Sequence, residues 1–139
     1  MLPPFSTHKL RAKKVIIDRV RYFAKIYNLK YRRVAIKDLS SRWGSCSAKK
    51  NLNFHYGLAF LSPEILDYVV VHELCHLVHL NHSRAFWKLV AQTTPDFRQR
   101  ILALRQVERE LKKARQLTKR GFFGRVLGFK PRYPSARQD

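Results

Sequence analysis

The chain of 139 residues has little of what marks secreted or membrane proteins. Its two cysteines, Cys46 and Cys75, are too few for a scaffold held together by disulfides. It contains no apolar run of 18 residues, which excludes a conventional transmembrane helix. Its first residues also lack the apolar segment of a signal peptide. These absences predict a soluble cytoplasmic protein.

Acidic residues are also scarce, since 9 Asp and Glu stand against 29 Lys and Arg and leave a net charge of +20. Hydrophobic residues make up 45% of the chain, which is enough for the packed core of one domain. The positive charge lies in two flanks: residues 1–50 hold 14 basic and 2 acidic residues, and residues 98–139 hold 13 and 3. So large an excess indicates a polyanionic partner. Residues 51–97, with 2 basic and 4 acidic residues, are the better candidate for chemistry.

Apolar residues recur with periods that predict helices and strands along the first half of the chain. We predict a helix over 7–28 that begins at Thr7, a strand over 31–36, a loop over 40–50 and a strand over 51–60. The last segment alternates between apolar and polar residues, as a half-buried strand does.

Helix-start and helix-stop signals organise the second half of the chain. Ser62 and the proline after it predict a capped helix that continues to residue 79 or 80. Asn81 is expected to end this helix, because asparagine tolerates the left-handed conformation. Ser83 is expected to begin a shorter helix, and a long basic helix follows and ends near Leu117.

After Leu117 the chain becomes rich in glycine and proline, so we predict one domain over 1–117 and a tail over 118–139. The tail mixes aromatic rings with cations, which suits stacking on bases and contact with phosphates of single-stranded nucleic acid. An anionic membrane surface suits the same mixture, and a merely solvated surface is the simplest alternative. The candidate nucleic-acid-binding residues are Lys119, Arg120, Phe122, Phe123, Arg125, Lys130 and Arg132.

The most informative segment is the H-E-x-x-H motif formed by His72, Glu73 and His76 on a predicted helix. Residues four apart lie on one helical face, about 6 Å apart along the axis, so the two imidazoles can bind one Zn²⁺. Glu73 is offset by about 100° and can reach a bound water molecule rather than the metal. The pattern predicts two metal ligands and a general base.

A catalytic zinc site needs a third protein ligand, and several nearby residues compete for that role. His82 is favoured if the chain turns back at Asn81, since this gives the H-E-x-x-H-x₅-H spacing of metzincins. His79 lies on the same helical face but about 10 Å from His72 along a straight helix. Glu64 and Asp67 lie upstream and are poorer candidates.

Further segments around the motif match one known family, and they occur in the same order. The matching segments are 42–46, Asn53, 67–76, 81–83 and 86–87. Together they resemble the YgjP-like metallopeptidase domain, which is related to the SprT-like and WLM zinc proteases. The resemblance covers roughly residues 40–115.

This resemblance implies a small zincin-like α+β domain. Its parts would be an amino-terminal helix, a short sheet with an edge strand, an active-site helix carrying H-E-x-x-H, and a long basic carboxy-terminal helix with a tail. It implies zinc ligands at His72, His76 and His82, with Glu73 as the catalytic base. It also implies that the strand over 52–60 is the edge strand along which a substrate lies.

Four residues are candidate substrate contacts. His55 lies on the polar side of the alternating strand, and the other three belong to segments that match the family. The four candidates are Trp43, Ser45, Asn53 and His55.

Taken together, these observations predict a metallopeptidase with one Zn²⁺ per chain and a protein or peptide substrate. The charge and the resemblance extend this to substrates associated with DNA or RNA, near the nucleoid or ribosomes. One alternative is a zinc-dependent phosphohydrolase of a nucleotide or other anionic substrate. Another is a non-catalytic nucleic-acid-binding module with a structural zinc, against which Glu73 argues because such a site needs no base.

Overall fold

The computed structural model describes residues 1–119, which form a mixed domain of four helices and a three-stranded sheet. The α+β class predicted from the sequence is confirmed. In chain order the elements are α1 (Phe5–Tyr27), β1 (Arg33–Lys37), β2 (Gly44–Cys46), β3 (Asn51–His55), a 3₁₀ turn (Tyr56–Phe60), α2 (Pro63–Cys75), α3 (Arg84–Ala91) and α4 (Phe97–Lys119). None of these helices is long and apolar enough to cross a membrane.

The sheet has the strand order β1-β3-β2, with β1 parallel and β2 antiparallel to β3. The expectation of an edge strand over 52–60 is therefore wrong, because β3 has a neighbour on each side. The edge strands are β1 and β2, and β2 lies within the predicted loop over 40–50. A strand of three residues is too short to show an alternating pattern, and only its pairing with β3 defines it.

Strand β3 ends at His55, although the apolar alternation continues to Phe60. The backbone N–H of Gly57 donates to His55 Nδ1 at 2.8 Å and starts a 3₁₀ turn there. Tyr56 turns with it, and its hydroxyl donates to the carbonyl of Pro3 at 2.7 Å. Alternation alone therefore overestimates the strand, because a side-chain hydrogen bond redirects the backbone.

Helix α1 begins at Phe5, before the predicted cap at Thr7. Pro4 occupies the N-cap position, and Thr7 Oγ1 donates instead to the Pro4 carbonyl at 3.2 Å. At the other end Asn28 takes a left-handed conformation with φ 52° and ends the helix. The buried face of α1 consists of Ala12, Ile16, Val20, Phe23 and Ala24.

Helix α2 lies at the centre of the domain and contacts α1, α3, α4, β2 and the 3₁₀ turn. Ser62 caps it as predicted, since its hydroxyl accepts from the N–H of Ile65 at 3.4 Å. The helix ends at Cys75, earlier than predicted. Asn81 is not the stop, because Asn28 and Lys50 are the non-glycine residues with positive φ in the described chain.

The remaining helices follow their sequence signals. Ser83 caps α3 by accepting from the N–H of Phe86 at 3.3 Å, as predicted. Helix α4 extends to Lys119, slightly beyond the predicted end near Leu117. The first two residues of the tail predicted over 118–139 therefore belong to α4, and the rest, 120–139, lies outside the described residues and stays a prediction.

His55 is fully buried between the sheet and the 3₁₀ turn. Its ring stacks on Tyr56 with centroids 4.8 Å apart and meets the edge of Trp43 at 5.3 Å. The nearest carboxylate oxygen is Asp38 Oδ1, 3.6 Å from Nε2, but the Asp38 side chain is about half exposed and therefore screened by water. Burial consequently dominates and lowers the pKa of His55 from 6.5 to about 4.

The buried imidazole makes stability depend on pH. Because the folded pKa of His55 lies below its unfolded value, the unfolded state takes up the proton first, and stability falls as pH drops from 6.5 towards 4. Between pH 7 and pH 5 we expect a loss of about 2 kcal/mol in the free energy of unfolding from this residue. Urea denaturation of the wild type and His55→Asn, at one zinc concentration, measures it. Equal pH dependence in both proteins would contradict the assignment.

Candidate metal centre and active site

Three histidine side chains converge at the end of α2. His72 and His76 lie one turn apart, and His82 returns from the segment between α2 and α3. Their Nε2 atoms form a nearly equilateral triangle with sides of 3.2, 3.1 and 3.2 Å. Among residues 1–119 this is the one group of three potential ligand side chains close enough to bind a common metal ion.

Hydrogen bonds on the far side of two rings orient the converging nitrogens. His76 Nδ1 lies 2.9 Å from the carbonyl oxygen of His79, which can only accept, so Nδ1 carries the proton. His72 Nδ1 lies 3.0 Å from the hydroxyl of the buried Tyr68. With the proton on Nδ1, the Nε2 atom of a neutral imidazole presents a lone pair to the centre of the triangle.

Burial keeps these rings neutral. It lowers the pKa of His72, His76 and His82 below the usual value, and the proximity of the rings adds to the effect at His72 and His82. Neutral imidazole is the form that binds a metal ion. Three zinc bonds of about 2.05 Å at tetrahedral angles would separate the nitrogens by about 3.3 Å. The observed triangle therefore fits Zn²⁺.

Two aromatic residues of α3 pack against the ligands. Phe86 stacks on His76 with centroids 4.5 Å apart and meets the edges of the other two ligand rings. Trp87 stacks on His82 at 5.9 Å. Both are almost fully buried, so α3 forms an apolar wall that fixes the imidazole planes and excludes water.

Glu73 is the buried carboxyl group next to the triangle. Its Oε1 lies 4.0 Å from His72 Nε2, too far for a hydrogen bond but close enough to share a small molecule with the ligands. Burial raises the pKa of Glu73 to about 8, and the positive charge of Arg42 opposes this rise. A cation bound by the histidines would favour the ionised carboxylate further.

Strand β2 runs directly beside Glu73. A Cβ atom added to Gly44 would lie 3.0 Å from Glu73 Cγ and 3.0 Å from the carbonyl oxygen of Asn53. A side chain at this position would therefore push the strand away from the carboxyl group. Glycine at position 44 lets the edge of the sheet approach the histidine triangle.

The fold also occurs in known metallopeptidases. The crystal structure of the metallopeptidase zymogen abylysin from Pyrococcus abyssi has a TM-score of 0.56 at 24% identity, over 66% of this chain and 95% of that one. The zymogen of jannalysin from Methanocaldococcus jannaschii has a TM-score of 0.55 at 22% identity, over 63% and 94%. A comparison with curated proteins gives no match.

The family model of the YgjP-like metallopeptidase domain matches residues 6–107. The chain belongs to the YgjP-like metallopeptidase family. This confirms the resemblance found in the sequence, and the histidine triangle adds the metal site that such a peptidase requires. The protein is therefore a zinc metallopeptidase, with His72, His76 and His82 as the residues that would hold the ion.

The other candidate ligands of this YgjP-like domain have different roles. His79 contributes its backbone carbonyl to orient His76, and its ring is outside the triangle. Asp67 accepts two hydrogen bonds from Arg19, at 2.7 and 2.9 Å, and joins α2 to α1. Glu64 is exposed in the first turn of α2, where its backbone carbonyl accepts from Arg100.

The four predicted substrate contacts do not form one surface. His55 and Trp43 are fully buried and offer no surface to a substrate, so this interpretation of them is corrected. Trp43 Nε1 instead donates to Glu108 Oε1 at 3.1 Å. Ser45 and Asn53 are partly exposed and hydrogen-bonded to each other at 3.2 Å. Alternation along β2 directs Ser45 away from the face on which Gly44 meets Glu73.

Sequence reasoning left the role of some site residues open or missed it. Tyr68 precedes His72 by one helical turn, a spacing that allowed contact without requiring it. Gly44 and Phe86 act through packing with other elements, for which the local sequence carries no signal. The predicted tail residues lie outside the described side chains and stay a prediction. These are Lys119, Arg120, Phe122, Phe123, Arg125, Lys130 and Arg132.

Tyr68→Phe should weaken zinc binding, because it removes the hydroxyl that is hydrogen-bonded to His72 Nδ1 and orients the ring. We expect a loss of about tenfold or more in zinc affinity, measured by competition with a chromophoric chelator. Tyr56→Phe is the matched control, since it also removes a tyrosine hydroxyl bonded within the fold but remote from the triangle. Equal zinc affinity in the wild type and Tyr68→Phe would contradict the positioning role.

Proposed function

We propose that this metallopeptidase binds an extended peptide along the free edge of β2 and hydrolyses it with Glu73 as the general base. The observation that carries the proposal is the close approach of the strand to the base. Gly44 brings the sheet edge against Glu73, which itself lies 4.0 Å from the histidine triangle. A peptide paired with this edge would pass beside both.

Some backbone N–H and C=O groups of β2 point away from β3, towards the outer edge of the sheet. Trp43 O accepts from the N–H of His55, and Ser47 N–H donates to Asn51 O, so the odd-numbered residues face β3. In an antiparallel pair the intervening residues direct their N–H and C=O groups outward. Gly44 and Cys46 therefore present free backbone groups at the sheet edge, as strand addition requires.

The roles of the chain's own groups follow from their positions. A zinc ion held by the three histidines would supply Lewis-acid polarisation of the scissile carbonyl and lower the pKa of a water molecule. Glu73 would accept a proton from the attacking water at a carboxylate oxygen. The same oxygen would return the proton to the leaving amine. Phe86 and Trp87 keep bulk water from the ligand side of the site.

Glu73→Gln should abolish peptide cleavage while leaving zinc bound. The amide keeps the shape of the side chain but cannot accept the proton, so we expect kcat to fall about 10²- to 10⁴-fold. Cleavage of a peptide pool followed by mass spectrometry, with zinc content measured in parallel, gives the result. Glu64→Gln, an exposed carboxylate on the same helix, is the control. Undiminished cleavage by Glu73→Gln would exclude it as the base.

Cys46→Pro tests binding at the strand edge, since proline removes an outward N–H without removing a bond to β3. We expect kcat/KM for extended peptides to fall about tenfold, the value of one backbone hydrogen bond. Cys46→Ala is the matched control, because it removes the same thiol and keeps the N–H. Equal kcat/KM for the two variants would exclude pairing at this position.

We further propose that the substrates are proteins associated with nucleic acid, on the basis of the net charge of +20. Single-stranded DNA added to the cleavage assay of the wild type should then increase the rate of cleavage. A cleavage rate that depends on Glu73 but does not change when DNA is added would support the peptidase activity and contradict the association with nucleic acid. Turnover of nucleotides without peptide cleavage would favour the phosphohydrolase alternative.

A further inference from the structure

We propose that the end of the sheet away from the catalytic glutamate carries a phosphate-binding site, whose ligand is the backbone of single-stranded nucleic acid. The site is a cavity of about 340 Å³ lined by Arg32, Arg33 and Asn51. A cavity of this size holds a ligand as large as a nucleotide. The biological ligand rests on the proposed association with nucleic acid, whereas phosphate binding itself does not depend on peptidase activity.

The backbone holds the cavity walls in place. Arg33 and Asn51 are opposite each other in the parallel pairing of β1 with β3. The N–H of Arg32 donates to the carbonyl of Lys50 at 2.8 Å. Lys50 has a φ of 65° and ends a tight turn in which its N–H donates to Ser47 O at 2.9 Å. The two arginines therefore project from a fixed part of the sheet.

The positive charge at this end has no internal counter-charge. The side chains of Arg32, Arg33, Lys49 and Lys50 are all exposed. Within the described part of the chain none of them makes an ion pair, whereas Arg19 is paired with a carboxylate at 2.7 Å. Two uncompensated arginines line the cavity and two exposed lysines directly precede Asn51 in sequence, so the local charge favours an anionic ligand.

The residue types favour phosphate among anions. Guanidinium groups bind phosphate oxygens in a bidentate manner, and two adjacent arginines can bind one phosphate from two directions.

The cavity and the catalytic edge lie on opposite edges of the sheet, since Arg33 belongs to β1 and Gly44 to β2. The central strand β3 connects them: Asn51 lines the cavity, and Phe54, three residues or about 10 Å further along β3, pairs with Gly44. Adjacent strands are about 4.8 Å apart, so β1 and β2 are separated by about 10 Å across the sheet. Proteins carried on a nucleic acid bound at the arginines would therefore lie near the proposed substrate-binding edge.

The first test uses pyrophosphate as the probe on the zinc-loaded full-length protein. In heteronuclear NMR spectra we expect saturable shifts of the backbone amide signals of Arg33, Lys50 and Asn51. The double variant Arg32→Gln/Arg33→Gln should lose these shifts. The control Lys13→Gln/Arg21→Gln removes the same charge from exposed positions of α1 and should keep them. No shift in the wild type, or equal shifts in both double variants, would overturn the proposal.

The second test distinguishes a nucleic-acid backbone from free phosphate. Binding of a fluorescent oligothymidylate is followed by anisotropy at several salt concentrations. Loss of two phosphate contacts in Arg32→Gln/Arg33→Gln should make the slope of log affinity against log salt shallower by about 1.4. The α1 control should keep the wild-type slope, and an uncharged methylphosphonate oligomer should not displace the probe. If the arginines bind pyrophosphate in the first test but the double variant keeps the wild-type salt slope for oligothymidylate, the nucleic-acid assignment is overturned and a small phosphate ligand remains.

An acidic peptide is the competing occupant. Shifts of the same amide signals by hexaglutamate, but not by pyrophosphate, would overturn the phosphate assignment. These readouts are independent of peptide cleavage. An inactive Glu73→Gln protein that still binds pyrophosphate at the arginines would separate this site from the peptidase proposal.

Discussion

The domain depends on one constraint, which is to hold three imidazole lone pairs together on side chains that are wholly or partly buried. Water would protonate or solvate these nitrogens, and burial lowers their pKa instead. This explains why α2, which carries His72 and has His76 as its C-cap, is surrounded by other elements along its length. The Nδ1 atoms of His72 and His76 have hydrogen-bond partners within the fold, which leaves their Nε2 atoms to face the ion.

The position at which α2 ends is as important for bringing the three histidines together as the H-E-x-x-H motif itself. A helix continued to residue 80 would place His82 about 9 Å further along the axis than His76. Because α2 ends at Cys75, the chain turns, and the His79 carbonyl reaches the ring of His76. The capped start of α3 then places Phe86 against all three ligands. Two helix termini, rather than one continuous helix, shape the triangle.

Features decided by neighbouring residues were predictable from the sequence, and features decided by distant ones were not. The Ser62 and Ser83 caps and the H-E-x-x-H spacing depend on residues within one turn. Strand β2 exists only through its pairing with β3, and the burial of His55 depends on Trp43 packing over it. The 3₁₀ turn after β3 was also not predictable from the local sequence. Its apolar residues pack into the core just as those of a longer strand would, so the apolar pattern does not distinguish the two structures.

The mixed sheet has a consequence for the order of folding. Strands β2 and β3 are joined by a tight turn and form a local hairpin, whose closure costs little chain entropy. Strand β1 pairs in parallel with β3, and its partners lie 18 positions away in the sequence, as between Arg33 and Asn51. We expect the hairpin to form before β1 joins it. The edge of the sheet beside Glu73 would then be among the first parts of the protein to fold.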